Sequence, residues 1–240
     1  MSVRDLSNAL RFLTRLPVPA TMASADDLPR TAAWFPLVGA IVGAAVGGAM
    51  WAGADVSPWL GALCALVAWV VITGGLHLDG LADVADALAA SHRSPDRFLA
   101  VLRDPHIGAF GAMAIALQLI AKLVLLAEIP ATHAVVALGL VAAWARWGVL
   151  VWALLLPPLA EGSGAAFATG TNAYVIAATG LVLAFLSAWQ SAILVLAPIA
   201  VIAVAVYWKL RLGGMTGDCL GASIEVTETA LLFLLAVARP

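Results

Sequence analysis

Charge is what this chain lacks. Only 11% of its 240 residues are Asp, Glu, Lys or Arg, where a soluble domain carries roughly 25%. Together with 63% hydrophobic residues and a mean hydropathy of +1.03, this excludes an ordinary soluble domain. It predicts an all-α, polytopic helical membrane protein, one domain over residues 1–240. Cysteine is nearly absent: Cys64 lies in an apolar run and Cys219 in a polar stretch, which excludes a disulfide framework or a thiolate metal centre. No glycine-rich loop ends in Lys-Ser/Thr, so no ATPase is expected. Lysine and arginine number 12 and form no run, so no nucleic-acid partner is expected either. No linker or low-complexity segment divides the chain. Its first thirty residues hold four arginines and no continuous apolar stretch of a cleavable signal.

What is abundant is apolar sequence. Runs at about 34–54, 57–75, 108–128, 132–156, 173–188, 190–208 and 222–238 approach the roughly 17–25 residues that cross a bilayer. Seven spans is the count, with six as the alternative, because only Trp189 and Gln190 part the fifth from the sixth. Residues 3–16 carry Leu6, Leu10, Phe12 and Leu13 near one face and Arg4, Arg11 and Arg15 around the other. They predict an N-terminal interfacial helix ended by Pro17 and Pro19. Placing the N-terminus in the cytoplasm puts Arg4, Arg11, Arg15, Arg30, Arg93, Arg97, Arg103, Lys209 and Arg211 on that side, with only Arg239 against the rule. Trp51, Trp59 and Trp189 then belong to the outer aromatic belt, and Trp34 and Trp208 to the inner one.

The scarce acids are not scattered. Thr73-Gly-Gly-Leu-His-Leu-Asp-Gly-Leu-Ala-Asp-Val-Ala-Asp86 packs His77, Asp79, Asp83 and Asp86 together. A helix from Leu78 places the three aspartates on one stripe, about 5–6 Å apart. The alternative is a solvated acidic face. Leu212-Gly-Gly-Met-Thr-Gly-Asp-Cys-Leu-Gly-Ala-Ser-Ile-Glu-Val-Thr-Glu228 repeats the spacing: Gly-Gly, three residues, an aspartate, then an acid seven further on. Asp79, Asp83, Asp86, Asp218, Glu225 and Glu228 make up six of the fourteen acids. Carboxylates without cysteine suit Mg²⁺, with Mn²⁺ as the alternative, and through it a pyrophosphate. An acceptor hydroxyl would attack in line, with His77 or Asp86 taking its proton. The glycines beside these acids, Gly75, Gly80, Gly214 and Gly217, and the hydroxyl of Thr216 join the expected substrate site, and both clusters are expected on the cytoplasmic face.

Between the clusters lies Leu102-Arg-Asp-Pro-His-Ile-Gly-Ala-Phe-Gly111. Arg103 is a candidate phosphate ligand, because a planar guanidinium matches two phosphate oxygens. Asp104, His106 and Gly108 are candidate substrate contacts, though Asp104 equally suits the cap of a helix restarting at Pro105. Ser94 or Pro95 starts a short helix. Within the spans, Lys122 is expected to snorkel outward, and Arg146 to find an anion, either a carboxylate or a substrate phosphate. Residues 157–172 form a loop whose only charge is Glu161, a lid or a plain connector.

These motifs, with Phe12-Leu-Thr-Arg-Leu-Pro-Val-Pro19 and Phe35-Pro-Leu-Val-Gly39, resemble the cobalamin synthase family (adenosylcobinamide-GDP ribazoletransferases, CobS) over nearly the whole chain in order. The chain departs from it at Ala87, where the family often has glycine. The resemblance implies a multi-pass, Mg²⁺-dependent enzyme of the bacterial inner membrane. It would join adenosylcobinamide-GDP to α-ribazole or α-ribazole 5′-phosphate, release GMP, and be open to association with other corrinoid-pathway enzymes. The first motif also looks distantly like the Asp-rich helices of CDP-alcohol phosphotransferases. The rival reading is a divalent-cation or small-solute transporter, which places its acids at the bilayer midplane.

Overall fold

A computed structural model describes residues 2–19, 28–92, 94–160 and 172–238. Of the polar connector that the sequence predicts over residues 20–30, residues 20–27 lie outside them, as do Arg93, the loop residues 161–171 with Glu161, and Arg239. Among the described residues there is no strand, only an isolated parallel bridge between Pro158 and Met215. The chain runs α1 Val3–Leu13, α2 Leu28–Ala32, α3 Phe35–Ala54, α4 Pro58–Thr73, α5 Leu76–Ala90, α6 Pro95–Val101, α7 Ala109–Ala127 and α8 Ala131–Leu155. It continues with α9 Ala173–Gln190, a 3₁₀ turn Ala192–Leu196, α10 Ala197–Arg211 and α11 Gly217–Val237. Among the described residues six segments are long and apolar enough to span a membrane; α4 and α5 make a seventh only as a pair, bent by 86°. The fifth and sixth expected spans are indeed separate, parted at Ser191.

The core is built on α8, whose residues from Leu138 to Trp152 are all buried. Helix α3 lies against it along Gly39, Gly43 and Gly47, spaced one turn apart on one stripe. A Cβ on Gly43 would run into the Leu138 carbonyl, and one on Gly39 into that of Ala142. Burying the peptide surface of both helices at this distance brings their backbones into contact, which is the main source of helix association where lipid is as apolar as the protein.

The break between α4 and α5 has a local cause. Gly74 and Gly75 both adopt left-handed backbone angles, φ 63° and 70°, which only glycine takes without strain. The Gly75 amide donates back to the Val70 carbonyl at 3.1 Å, closing the last turn of α4. The N-terminal segment is clipped there too, its Arg15 amide donating to the Ile72 carbonyl at 2.7 Å. Helix α1 ends at Leu13, earlier than Pro17, and starts in a capping box between Ser2 and Asp5. Its Phe12 stacks on Phe35 at 5.8 Å.

Several expectations are corrected. Helix α5 begins at Leu76 rather than Leu78, because Gly75 supplies its entry. Helix α11 begins at Gly217, five residues ahead of the apolar run, because Thr216 caps it by accepting from the Cys219 amide at 3.2 Å. Helix α7 begins at Ala109, not at Pro105, so Asp104 caps nothing. Trp208 is buried and donates to the Ser223 hydroxyl at 2.8 Å instead of facing an inner belt. Trp51, Trp59 and Trp189 are exposed.

The glycine stripe yields a direct test. Gly43→Leu should destabilise the purified protein by about 3 kcal/mol or more, since the obstacle is backbone. Gly48→Leu, with nothing within 4 Å of its Cβ position, should melt within a few degrees of wild type. Equal melting of both variants in detergent would show that the stripe is not a contact.

Candidate active site at the junction of two acidic helices

Helices α5 and α11 cross with glycine on both sides. A Cβ on Gly80 would sit 2.9 Å from the Asp218 carbonyl oxygen, and one on Gly221 would sit 3.5 Å from the His77 Cα. The two acidic motifs, distant in sequence, are therefore adjacent. Asp79 and Asp218 both line a cavity of about 150 Å³, together with His77, Gly80, Gly217 and the aromatic pair Phe12 and Phe35. Across α5 a wider groove of about 420 Å³ is lined by Asp83, Asp86, Asp104, His106, Gly108 and Phe110. The carboxyl of Asp83 lies within electrostatic reach of Asp79, Asp218 and Asp86. Among the described residues no cation pairs with Asp79, Asp83 or Asp218.

Asp86 has a definite place. Its two carboxylate oxygens accept from the Gly108 amide at 2.7 Å and the Gly111 amide at 2.9 Å. It thus caps α7 from another helix, satisfying amides left open at that N-terminus. Glycine is needed at both positions, since a Cβ on either would collide with this carboxylate. Asp104 is exposed and accepts from the His106 backbone amide at 3.0 Å and the His106 ring at 2.7 Å. Those bonds hold its pKa below the usual carboxylate range. Arg103 is exposed in the same loop. Gly75 forms the entry to α5. Gly214 is fixed in the turn before α11, where the Met215 amide donates to the Pro157 carbonyl at 3.0 Å.

Glu225 and Glu228 lie elsewhere. They sit some two to three turns into α11, in a sealed cluster of charges. The Lys122 ammonium reaches Glu225 at 2.7 Å and Glu228 at 2.5 Å, and lies 4.4 Å above the Trp69 ring. Arg146 pairs with Glu228, and its Nη2 is 3.4 Å from His77 Nδ1. The amide of Gln118 donates to Glu225 and to the Thr229 hydroxyl, both at 2.8 Å. Lys122 therefore does not snorkel: 2% of it is exposed. Of the two anions open to Arg146, the structure supplies the carboxylate. Two cations and two anions cancel, so a low-dielectric interior tolerates the group.

The sequence reading missed Gln118, and it missed Lys122 as a partner of Glu225 and Glu228. Their signal was spacing: Gln118 and Lys122 are four apart on α7, and Glu225, Glu228 and Thr229 share one stripe of α11.

Comparison with known proteins bears on what this junction does. The family described as Cobalamin-5-phosphate synthase (CobS) matches residues 5–236. The chain belongs to that family. It is 50% identical over 248 residues to the adenosylcobinamide-GDP ribazoletransferase of Thiobacillus denitrificans, covering 98% of this chain and 96% of the relative. The enzyme of the same name from Novosphingobium aromaticivorans is 48% identical, covering 98% and 97%. That of Brevibacillus brevis is 34% identical, covering 95% and 96%. No solved structure matches the chain. The family match extends over nearly all of this chain, the stretches that form both acidic helices included.

The charge cluster is testable by balance. Lys122→Met leaves one surplus buried anion and should cost about 3–5 kcal/mol. Adding Glu225→Gln removes that surplus and should restore part of the loss, leaving Arg146 with Glu228. Thermal unfolding of the two variants in detergent reads this; a double variant no more stable than the single one would refute the balance argument.

Proposed function

We propose that this chain is an adenosylcobinamide-GDP ribazoletransferase of a bacterial inner membrane, with its active site at the α5–α11 junction on the cytoplasmic face. It joins adenosylcobinamide-GDP to α-ribazole or its 5′-phosphate and releases GMP. The observation that supports this best is the meeting of two acidic helices whose carboxylates Asp79, Asp83 and Asp218 have no counter-charge among the described residues. The deeper acids Glu225 and Glu228, which a transport site would keep free, are held by Lys122 and Arg146.

Such a donor set fits Mg²⁺. Like-charged hard oxygens close together call for a cation. Among the described residues no three acids, histidines or cysteines already converge on one point. Mg²⁺ takes one or two carboxylates plus phosphate oxygens and water rather than a closed protein cage. Asp79 and Asp218, which share one cavity, would hold it, with the charge of Asp83 close by; when bound it would neutralise the pyrophosphate and polarise the phosphorus under attack.

The chain's own residues do the rest. Arg103, exposed beside the groove, grips phosphate oxygens and orients the donor substrate. The groove lined by Asp83, Asp86, His106 and Phe110 receives the acceptor, with Phe110 as an apolar surface for its base. The ribose hydroxyl forms its bond to the phosphorus carried by the cobinamide arm as the bond to GMP breaks. Of the two candidate bases, Asp86 and His77, Asp86 lines the acceptor groove and keeps a free lone pair on each oxygen beyond its amide bonds.

Purified protein in detergent, with no sealed compartment, should release GMP when given both substrates and Mg²⁺. Asp79→Asn and Asp218→Asn should each lower kcat roughly 10³-fold. Arg103→Lys, which keeps the charge but not the planar fork, should lose roughly 10- to 100-fold. Full activity in both Asn variants would exclude the carboxylate site. Orientation is read separately, with single cysteines at Asp96, Lys209 and Val56 in a background lacking Cys64 and Cys219. An impermeant thiol reagent should reach the first two only from the cytoplasmic side and Val56 only from the other. Labelling of Asp96 and Lys209 from opposite faces would overturn the topology.

A further inference from the structure

We infer that His77 is a hydrogen-bond donor to a phosphoryl oxygen, held by Arg146 in its Nε2–H tautomer, and not the base. This rests on the transferase reading above. A guanidinium has five donors and no acceptor. Because Arg146 Nη2 lies 3.4 Å from Nδ1 of His77, Nδ1 must present its lone pair, and a neutral ring then carries its proton on Nε2. A doubly protonated ring would aim one N–H at another and set two cations side by side. Arg146 cannot turn away, because Glu228 grips it and Lys122 grips Glu228.

The other ring nitrogen points to a ligand. His77 is 3% exposed, and among the described residues its Nε2 is buried without a partner. An unmet buried donor costs about 1–3 kcal/mol. His77 is among the residues that line the small cavity shared by Asp79, Gly217 and Asp218. The charged groups about it are Arg146 from α8, Lys122 from α7, Glu228 and Asp218 from α11, and Asp79 on its own helix. A partner for a fixed N–H must accept, and an anionic acceptor is the kind that a cation held by the neighbouring carboxylates would draw there. A phosphoryl oxygen of a nucleoside-diphosphate-activated substrate meets both demands. Proton transfer from the acceptor hydroxyl then falls to Asp86, on the far side of α5, and His77 contributes the kind of fixed dipole that stabilises charge as it develops.

The test separates this inference from the transferase reading. Protein labelled with ¹⁵N-histidine has four histidines to resolve, and the His77 signals are found by difference against His77→Gln. At neutral pH they should report a proton on Nε2 and none on Nδ1, and GDP with Mg²⁺ should move the Nε2 resonance. In GMP release, His77→Gln should keep kcat within about tenfold, because its amide places an N–H near the Nε2 position. His77→Asn, whose amide reaches only the Nδ1 position, and His77→Ala should both lose roughly 10²- to 10³-fold, with kcat compared per folded protein at a temperature where all three variants remain folded. A proton found on Nδ1, a resonance that GDP and Mg²⁺ leave unmoved, or an Asn variant more active than the Gln variant would each overturn the inference. Absence of GMP release from the wild type would instead overturn the transferase reading, while the spectrum still decides the tautomer.

Discussion

The buried charge cluster of Lys122, Arg146, Glu225 and Glu228 constrains everything around it. Four ionised groups in an apolar bundle are tolerated only if each has its partner at contact distance. That requirement fixes three helices at once: Lys122 comes from α7, Arg146 from α8, and both glutamates from α11. Apolar packing alone would leave these helices free to slide or rotate, since dispersion is nearly indifferent to register. Charge pairing is not indifferent, and one turn of slippage would strand a carboxylate in the interior. The cluster adds little net stability against an apolar core of the same shape; what it contributes is a single register.

Glycine does the complementary work. Where side chains are absent, backbones touch: Gly39, Gly43 and Gly47 seat α3 on α8, and Gly80 and Gly221 seat α5 on α11. At Gly74 and Gly75 the same residue turns the chain sharply. This turn takes α5 out of line with α4 and lays its acids beside the start of α11. Asp86 then ties α7 to α5 through two amides. The site is thus assembled from helix ends, while the cluster beneath holds those helices in place. Preorganisation of this kind lowers the reorganisation needed when charge develops in a transition state.

The two regions communicate at one residue. His77 belongs to α5 and lines the acidic cavity, yet it also touches Arg146 of the buried cluster. A chain of contacts therefore runs from the bundle interior to the junction, through Lys122, Glu228, Arg146 and His77. The interior charges a transporter would leave exposed to its cargo are here consumed in holding the site.

Much of this was legible in one dimension. Low charge and long apolar runs dictate a helical membrane protein, because lipid leaves backbone amides no partner outside a helix. The spacing of Asp79, Asp83 and Asp86, and its echo in Asp218 and Glu225, marked two acidic helices. The doubled glycines marked their turns. What the sequence could not determine was which acids are paired with cations in the interior and which are not. Glu225 and Asp218 look alike as letters seven residues apart on one helix. Only the packing of α7 and α8 against α11 brings Lys122 and Arg146 to Glu225 and Glu228 and leaves Asp218 uncovered. Asp86 is a similar case, its cap on α7 being a contact across more than twenty residues of chain. Sequence determined which side chains stand on which helix, through the 3.6-residue period. Tertiary structure decided their partners, because a buried charge is defined by what lies opposite it.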